Sequence, residues 1–316
     1  MVSEQLAAPS DRWAGMTAPR EILPGATYLV TRRSTQRQFL LRPSERTNQV
    51  IGYCLADAAR HTGVKLHAVC VMSNHWHGVV TDPEARLPEF LERFHRLVAR
   101  ALNAILGRWE NLWSSDKPSV VRLVSDEDVL EKMAYVIANP TAAGLVSAPS
   151  EWPGVLEHRF GTRTSIKRPE TFFRREGKLP ETTPLEISRP DIFRGLSDAD
   201  LASCLARAVD RLVDRAGQIL RKAGRAFLGA RAVLRQDPRS SPATREEKRT
   251  PNPRIAAARP AERLDALQRM AAFIRTYRTA WQAWRSGGQD VVFPAGTYAL
   301  RRLACVTCLA PTGYAA

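Results

Sequence analysis

Cysteine is scarce in this chain: five in 316 residues (Cys54, Cys70, Cys204, Cys305 and Cys308), an odd, scattered set that argues against a disulfide framework. The single Cys-x-x-Cys, Cys305 to Cys308, has no second pair or histidine beside it and reads as two packed thiols, not a zinc site. Long apolar runs are missing as well. Nothing approaches the roughly 20 residues of a membrane span, and the first 25 residues lack the basic-then-apolar order of a signal peptide. No membrane association and a cytoplasmic location are therefore the expectations. Histidine is also sparse, at six residues, so its placement carries weight.

What the chain has in excess is positive charge, formally +15, as expected of a soluble protein held by polyanions. The excess is uneven. Residues 1 to 160 hold 18 Lys and Arg against 17 Asp and Glu, whereas residues 161 to 316 hold 29 against 15. The two halves are expected to do different jobs. Within the second, residues 211 to 260 carry 13 basic residues against 4 acidic ones, an imbalance suited to DNA.

A length of 316 residues suits two domains. Residues 1–25 lack periodicity and read as a flexible lead-in. From 26 to 160 the pattern predicts strand 27–33, helix 44–61, strands 64–72 and 76–81, helix 87–106, strand 120–124, and a helix from 126 to about 138 that Asn139-Pro140 ends. This order fits an α+β domain with a mainly antiparallel sheet. Polar, proline-containing residues 161–196 read as a linker. Residues 197–316 form a basic, mainly α-helical region, in which Gly224 to Gln236 has the rhythm of a helix-turn-helix offering Arg225, Arg231 and Arg235 to DNA.

The candidate chemistry starts at His75-Trp76-His77, inside Val69 to Val80. On a strand, side chains alternate, so both imidazoles share a face and can share a metal ion, while Trp76 turns to the other face and the core. Chance alone supplies a His-x-His in about one such chain in ten, so partners elsewhere are needed. The helix after the fourth strand provides them. Its apolar stripe is Leu130, Met133, Ala134 and Ile137, whereas Tyr135 lies off that stripe in line with Glu131 and Asn139 at four-residue spacing. A divalent metal on His75, His77 and Asn139 would polarise a phosphate oxygen, with the Tyr135 hydroxyl attacking phosphorus to leave a covalent phosphotyrosine. Asn139 has a second reading, as the helix C-cap before Pro140.

Three blocks in order, Tyr28-Leu29-Val30-Thr31-Arg32-Arg33, Met72-Ser73-Asn74-His75-Trp76-His77-Gly78-Val79-Val80, and Tyr135 to Val146, resemble the HUH single-tyrosine transposases. Within them, the resemblance is to the REP-associated branch, domesticated relatives of small insertion-sequence transposases. It covers roughly residues 26 to 150. It implies a ferredoxin-like βαββαβα domain, Mg or Mn bound by His75, His77 and Asn139, Tyr135 as the catalytic nucleophile, and single-stranded or hairpin DNA as substrate. This chain departs from many relatives in having no basic residue in Thr141-Ala142-Ala143.

Arg32, Arg33 and Arg37, mixed with Gln36 and Gln38, suit phosphate positioning with some base reading. Two functions follow as expectations: a DNA endonuclease and strand transferase working through Tyr135, or a non-catalytic, domesticated binder of repeated palindromic DNA with a regulatory role. Monomer and homodimer both remain open, because the tyrosine helix could complete the site of its own chain or of a neighbour.

Overall fold

A computed structural model describes residues 19–170, 179–244 and 253–311. In chain order the elements are β1 (Ala26–Arg33), α1 (Glu45–Thr62), β2 (Lys65–Met72), β3 (His75–Asp82), α2 (Leu87–Leu106), β4 (Ser119–Leu123), α3 (Asp126–Ala142), β5 (Leu156–Glu157), β6 (Arg163–Lys167), β7 (Thr182–Glu186), α4 (Asp198–Lys222), α5 (Ala230–Leu234), β8 (Ile255–Ala256), α6 (Pro260–Arg285) and α7 (Ala299–Leu303). The first seven have the expected βαββαβα order. No helix among the described residues is long and apolar enough to cross a membrane.

Six strands pair in the order β5–β2–β3–β1–β4–β8. Every pairing is antiparallel except β4 with β8, which is parallel. The sheet is therefore mixed, and its two short outer strands come from beyond residue 150. The pleat sends alternate side chains to opposite faces. Tyr28, Val30, Val71, Trp76 and Val80 enter one core with Leu55 of α1 and Phe94 of α2. Ala68, Cys70, Met72 and Val79 enter a second core with Met133 of α3 and Leu205 of α4. Helices thus cover both faces.

Trp76 anchors the first core. It is wholly buried, its ring meets Phe94 edge-on at 5.0 Å, and its Nε1–H donates to His95 Nε2 at 3.0 Å. Gly78, two residues on and facing the same way, leaves the space this indole fills, since a Cβ there would lie 2.7 Å from the Trp76 ring. On the other side of the strand, the sequence is thereby committed to pointing His75 and His77 away from this core.

The helix termini follow local chemistry. Ser44 caps α1 by accepting from Thr47 N–H, and Ser125 and Asp128 form a capping box at the start of α3. The far end of α3 corrects the sequence reading: the helix continues through Pro140 to Ala142. Proline removes only its own N–H, and the last turn persists around it. Asn139 therefore lies inside the helix and is not its C-cap, a place taken by Ala143, whose N–H donates to the Asn139 carbonyl.

Residues 161–196, expected to be a linker, contain the β6–β7 hairpin. Leu185 and Ile187 are buried in the first core, and Ile166 reaches Gly52 of α1. The expected helix-turn-helix is also not formed. A 25-residue α4 packs against α3 and ends at Lys222, residues 228 and 229 bond to the carbonyls of Gly144 and Leu145, and α5 has only five residues. One helical turn, with Val233 buried in the second core, is too short to lie along a major groove as a recognition helix does. A third, small core joins α6 to the chain end through Phe273, Tyr277, Phe293 and Leu300. Cys305 there is exposed, while the Cys308 thiol meets the Val306 carbonyl at 3.7 Å.

Candidate active site

His75 opens β3 and His77 follows two residues later, on the face that α3 covers. Their rings lie edge-on with centroids 4.7 Å apart. On α3, Tyr135 sets its ring 5.3 Å from that of His77, again edge-on. Asn139, one turn further along α3, lies close enough for its side chain to act on both His75 and Tyr135. The four residues that strand alternation and four-residue helical spacing had selected are thus brought together within one chain.

Burial is graded across the site. His77 is 5% exposed and Asn139 7%, whereas Tyr135 is 39% exposed. Buried His77 and Asn139, a half-buried His75 and a partly exposed Tyr135 form an arrangement able to hold an ion while leaving an approach for a polymeric substrate.

Neighbouring strands orient both imidazoles. His77 pairs across the sheet with Thr31 of β1, and its Nδ1 lies 2.8 Å from Thr31 Oγ1. His75 Nδ1 lies 2.7 Å from the side-chain oxygen of Asn74. In each ring Nδ1 is engaged and Nε2 is left for another partner. Sequence reading missed Thr31 and Asn74 as supporting residues, although both stand inside the motif blocks that carried the resemblance.

The electrostatics keep the pair uncharged. Burial, with a contribution from the nearby Arg33 guanidinium, pushes His75 down to about 4. Burial likewise holds His77 well below its usual value, aided by His75. Neutral imidazoles are what metal coordination requires. Burial raises Tyr135 above the ordinary phenol value, and the neighbouring Asn139 side chain works in the opposite direction. At neutral pH Tyr135 is a protonated phenol, which would need activation to act as a nucleophile.

Two imidazole nitrogens and an amide oxygen suit a divalent cation, and the set is softer than the all-oxygen shells that Mg prefers. It carries no formal charge. No group of three or more His, Cys, Asp or Glu residues able to hold a metal occurs among the described residues. An ion on this set would keep its full double charge facing outwards, where a phosphodiester could supply the missing anionic oxygens.

The expected DNA-binding residues separate into three groups. Arg33 pairs with His75 across the sheet, and both it and Arg37 act electrostatically on His75. Arg32 points to the opposite face and donates to the Ser114 carbonyl at 3.2 Å. Arg225, Arg231 and Arg235 are exposed on and around α5. Trp109, in the loop between α2 and β4, was not singled out from the sequence, yet it is 99% exposed. That loop is stitched to the β1 end by Thr35 N–H on the Leu112 carbonyl and Ser114 N–H on the Arg33 carbonyl.

The chain is similar in structure to a REP-associated tyrosine transposase. That protein, solved bound to a REP hairpin, has 20% sequence identity and a TM-score of 0.35, with 44% of this chain and 81% of the other covered. A provisionally assigned transposase of Deinococcus radiodurans R1 also matches, at 20% identity and a TM-score of 0.27, over 34% of this chain and 85% of the other. No protein-family model and no curated protein matches the chain. Likeness at this level concerns the path of the chain, and the chemistry has to be read from the side chains.

Proposed function

We propose that this chain is a metal-dependent DNA endonuclease and strand transferase of the transposase type, acting on single-stranded or hairpin DNA through Tyr135. The observation that carries the reading is the meeting of His75 and His77 on β3 with Tyr135 and Asn139 on α3. His75, His77 and Asn139 would hold a divalent ion, Mg or Mn, which would supply Lewis-acid polarisation of a phosphoryl oxygen. The protein's own residues do the rest.

Tyr135 Oη attacks phosphorus, forming an O–P bond as the bond to the leaving sugar oxygen breaks; the phenolic proton is lost to solvent and the leaving oxygen gains one. The products are a phosphotyrosine and a free sugar hydroxyl. A hydroxyl from another strand reverses the step and joins the ends, with no outside energy source because the phosphodiester is conserved in the tyrosyl bond. Asn139, one helical turn from Tyr135 and acting on both it and His75, links the nucleophile to the ligand set. Arg33 and Arg37 border the site with the charge needed to seat the backbone.

The test is covalent capture. The full chain is incubated with labelled single-stranded and hairpin oligonucleotides in Mg or Mn and resolved under denaturing conditions. A labelled protein band is expected that chelator and Tyr135→Phe both remove. Salt-sensitive binding with no adduct across a broad oligonucleotide set would instead favour a non-catalytic DNA binder.

A further inference from the structure

The backbone beside the site contains a strained turn. Gln36 and Arg37 both have positive φ, 48° and 58°, a region that residues with a Cβ seldom occupy. Their conformation is held from two sides. On the outer side, Ser241 Oγ donates to the Gln36 carbonyl at 2.8 Å, Phe39 N–H donates to the Ser240 carbonyl at 3.0 Å, and the Arg37 guanidinium donates to the Thr244 carbonyl and hydroxyl at 2.7 and 3.0 Å. On the inner side, Asn74 Nδ2 donates to the Arg37 carbonyl at 3.1 Å.

That inner bond settles which way the Asn74 amide faces. With Nδ2 committed to a carbonyl, Oδ1 is the atom turned to His75 Nδ1, 2.7 Å away. An amide oxygen only accepts, so Nδ1 must carry the imidazole proton and Nε2 must hold the lone pair. A flipped amide would set two oxygens against each other at Arg37 and offer an N–H to Nδ1. Nε2 would then carry the proton and be lost as a ligand.

We infer that Asn74 is a positioning residue for the metal site. Read from the Arg37 carbonyl, its amide selects the His75 tautomer that can coordinate, so the Gln36–Arg37 turn and the 240–244 segment clamping it are mechanically part of that site. The inference rests on the reading of His75 as a ligand. It also gives the C-terminal half a role in the chemistry besides charge, since residues 240–244 belong to that half.

The experiment uses the full chain as wild type, Asn74→Ala and Asn74→Asp. Nitrogen-15 NMR of histidine-labelled, metal-free protein reports the tautomer of each ring, and Mn titration reports affinity. Wild type should show His75 protonated at Nδ1. Asn74→Ala should move the proton towards Nε2 and weaken Mn binding about 10- to 100-fold, the usual cost of losing a partner behind a ligand. Asn74→Asp keeps an oxygen that accepts from Nδ1–H while losing the donor to the Arg37 carbonyl; it should retain the tautomer and bind Mn more tightly than Asn74→Ala, which separates positioning from a general loss of fold. An unchanged tautomer and unchanged affinity in Asn74→Ala would overturn the inference. A wild type that shows the Nδ1–H form but binds neither Mn nor Mg would overturn the reading of the site instead.

Discussion

Residues 26–160 and the described residues beyond them differ in where their polar groups lie. In the first region Asp57, His67, His77, Asp82, His95, Asp128 and Asn139 are all buried, whereas in the second the buried polar residues are Thr183 and Thr297. Most buried polar groups in the first region have partners: Arg93 Nε on Asp57 at 2.6 Å, and His67 between the Ser188 carbonyl and Thr81 Oγ1 at 2.7 and 2.8 Å. The second region carries its charge on the outside, along α4, α5 and α6. Buried, paired polar groups fix geometry, and exposed cations attract a polyanion without fixing much. On the proposed function, the chemistry would belong to the region with almost no net charge, and the other region would contribute attraction and, through residues 240–244, support.

The contrast can be broken most sharply at Trp76. Trp76→Ala removes the fully buried indole under the His pair and is expected to cost about 3–5 kcal/mol in a denaturant titration. A loss under about 1 kcal/mol would mean that the first region is not the rigid one. A second probe is Trp109, whose exposure suits stacking on an unpaired base. Trp109→Ala should weaken binding of a single-stranded oligonucleotide by about 1–3 kcal/mol while leaving stability unchanged. Equal affinity for wild type and variant would remove this loop from the DNA path.

Mild acid should act chiefly on the first region, which holds every histidine of the chain. Burial pushes His67 and His75 down to about 4 and lowers His77, His95 and His158 as well. The unfolded chain takes up these protons near pH 6.5 and the folded chain does not, so stability is complete above about 6.5 and falls as pH drops towards 4. His67 alone should account for on the order of 1–2 kcal/mol lost at pH 5. Urea midpoints at pH 7.5 and 5 check this, and a pH-independent midpoint would contradict it. The smallest effect belongs to the exposed cations. Replacing Arg225, Arg231 and Arg235 together with Ala should lower the salt slope of single-stranded DNA binding by about 0.7 for each phosphate deprived of its cation, with adduct formation per bound complex unchanged. A salt slope equal to that of wild type would place these three arginines off the DNA path.

Much of the first region could be read from local pattern. Alternation in β3 placed His75 and His77 together and Trp76 behind them, and four-residue spacing placed Tyr135 with Asn139, because both depend only on the geometry of one element. The supporting residues could not be read that way. Thr31 meets His77 only through the β1–β3 register, and Asn74 depends on a carbonyl in a turn that two non-glycine residues hold at positive φ. The end of α3 misled for a related reason, since Pro140 stops a helix only where no further turn can form. Strands β5 and β8, two residues each, carry too little pattern to announce themselves. The β6–β7 hairpin is polar over most of its length and is held by a few side chains such as Leu185.

The account stands most directly on which atom becomes joined to DNA. Protein from the capture reaction, digested and sequenced by mass spectrometry, should carry the nucleotide on the peptide beginning at Met133, with the modification at Tyr135. An adduct at Tyr28, Tyr53 or Tyr277, or one that persists in Tyr135→Phe, would contradict it.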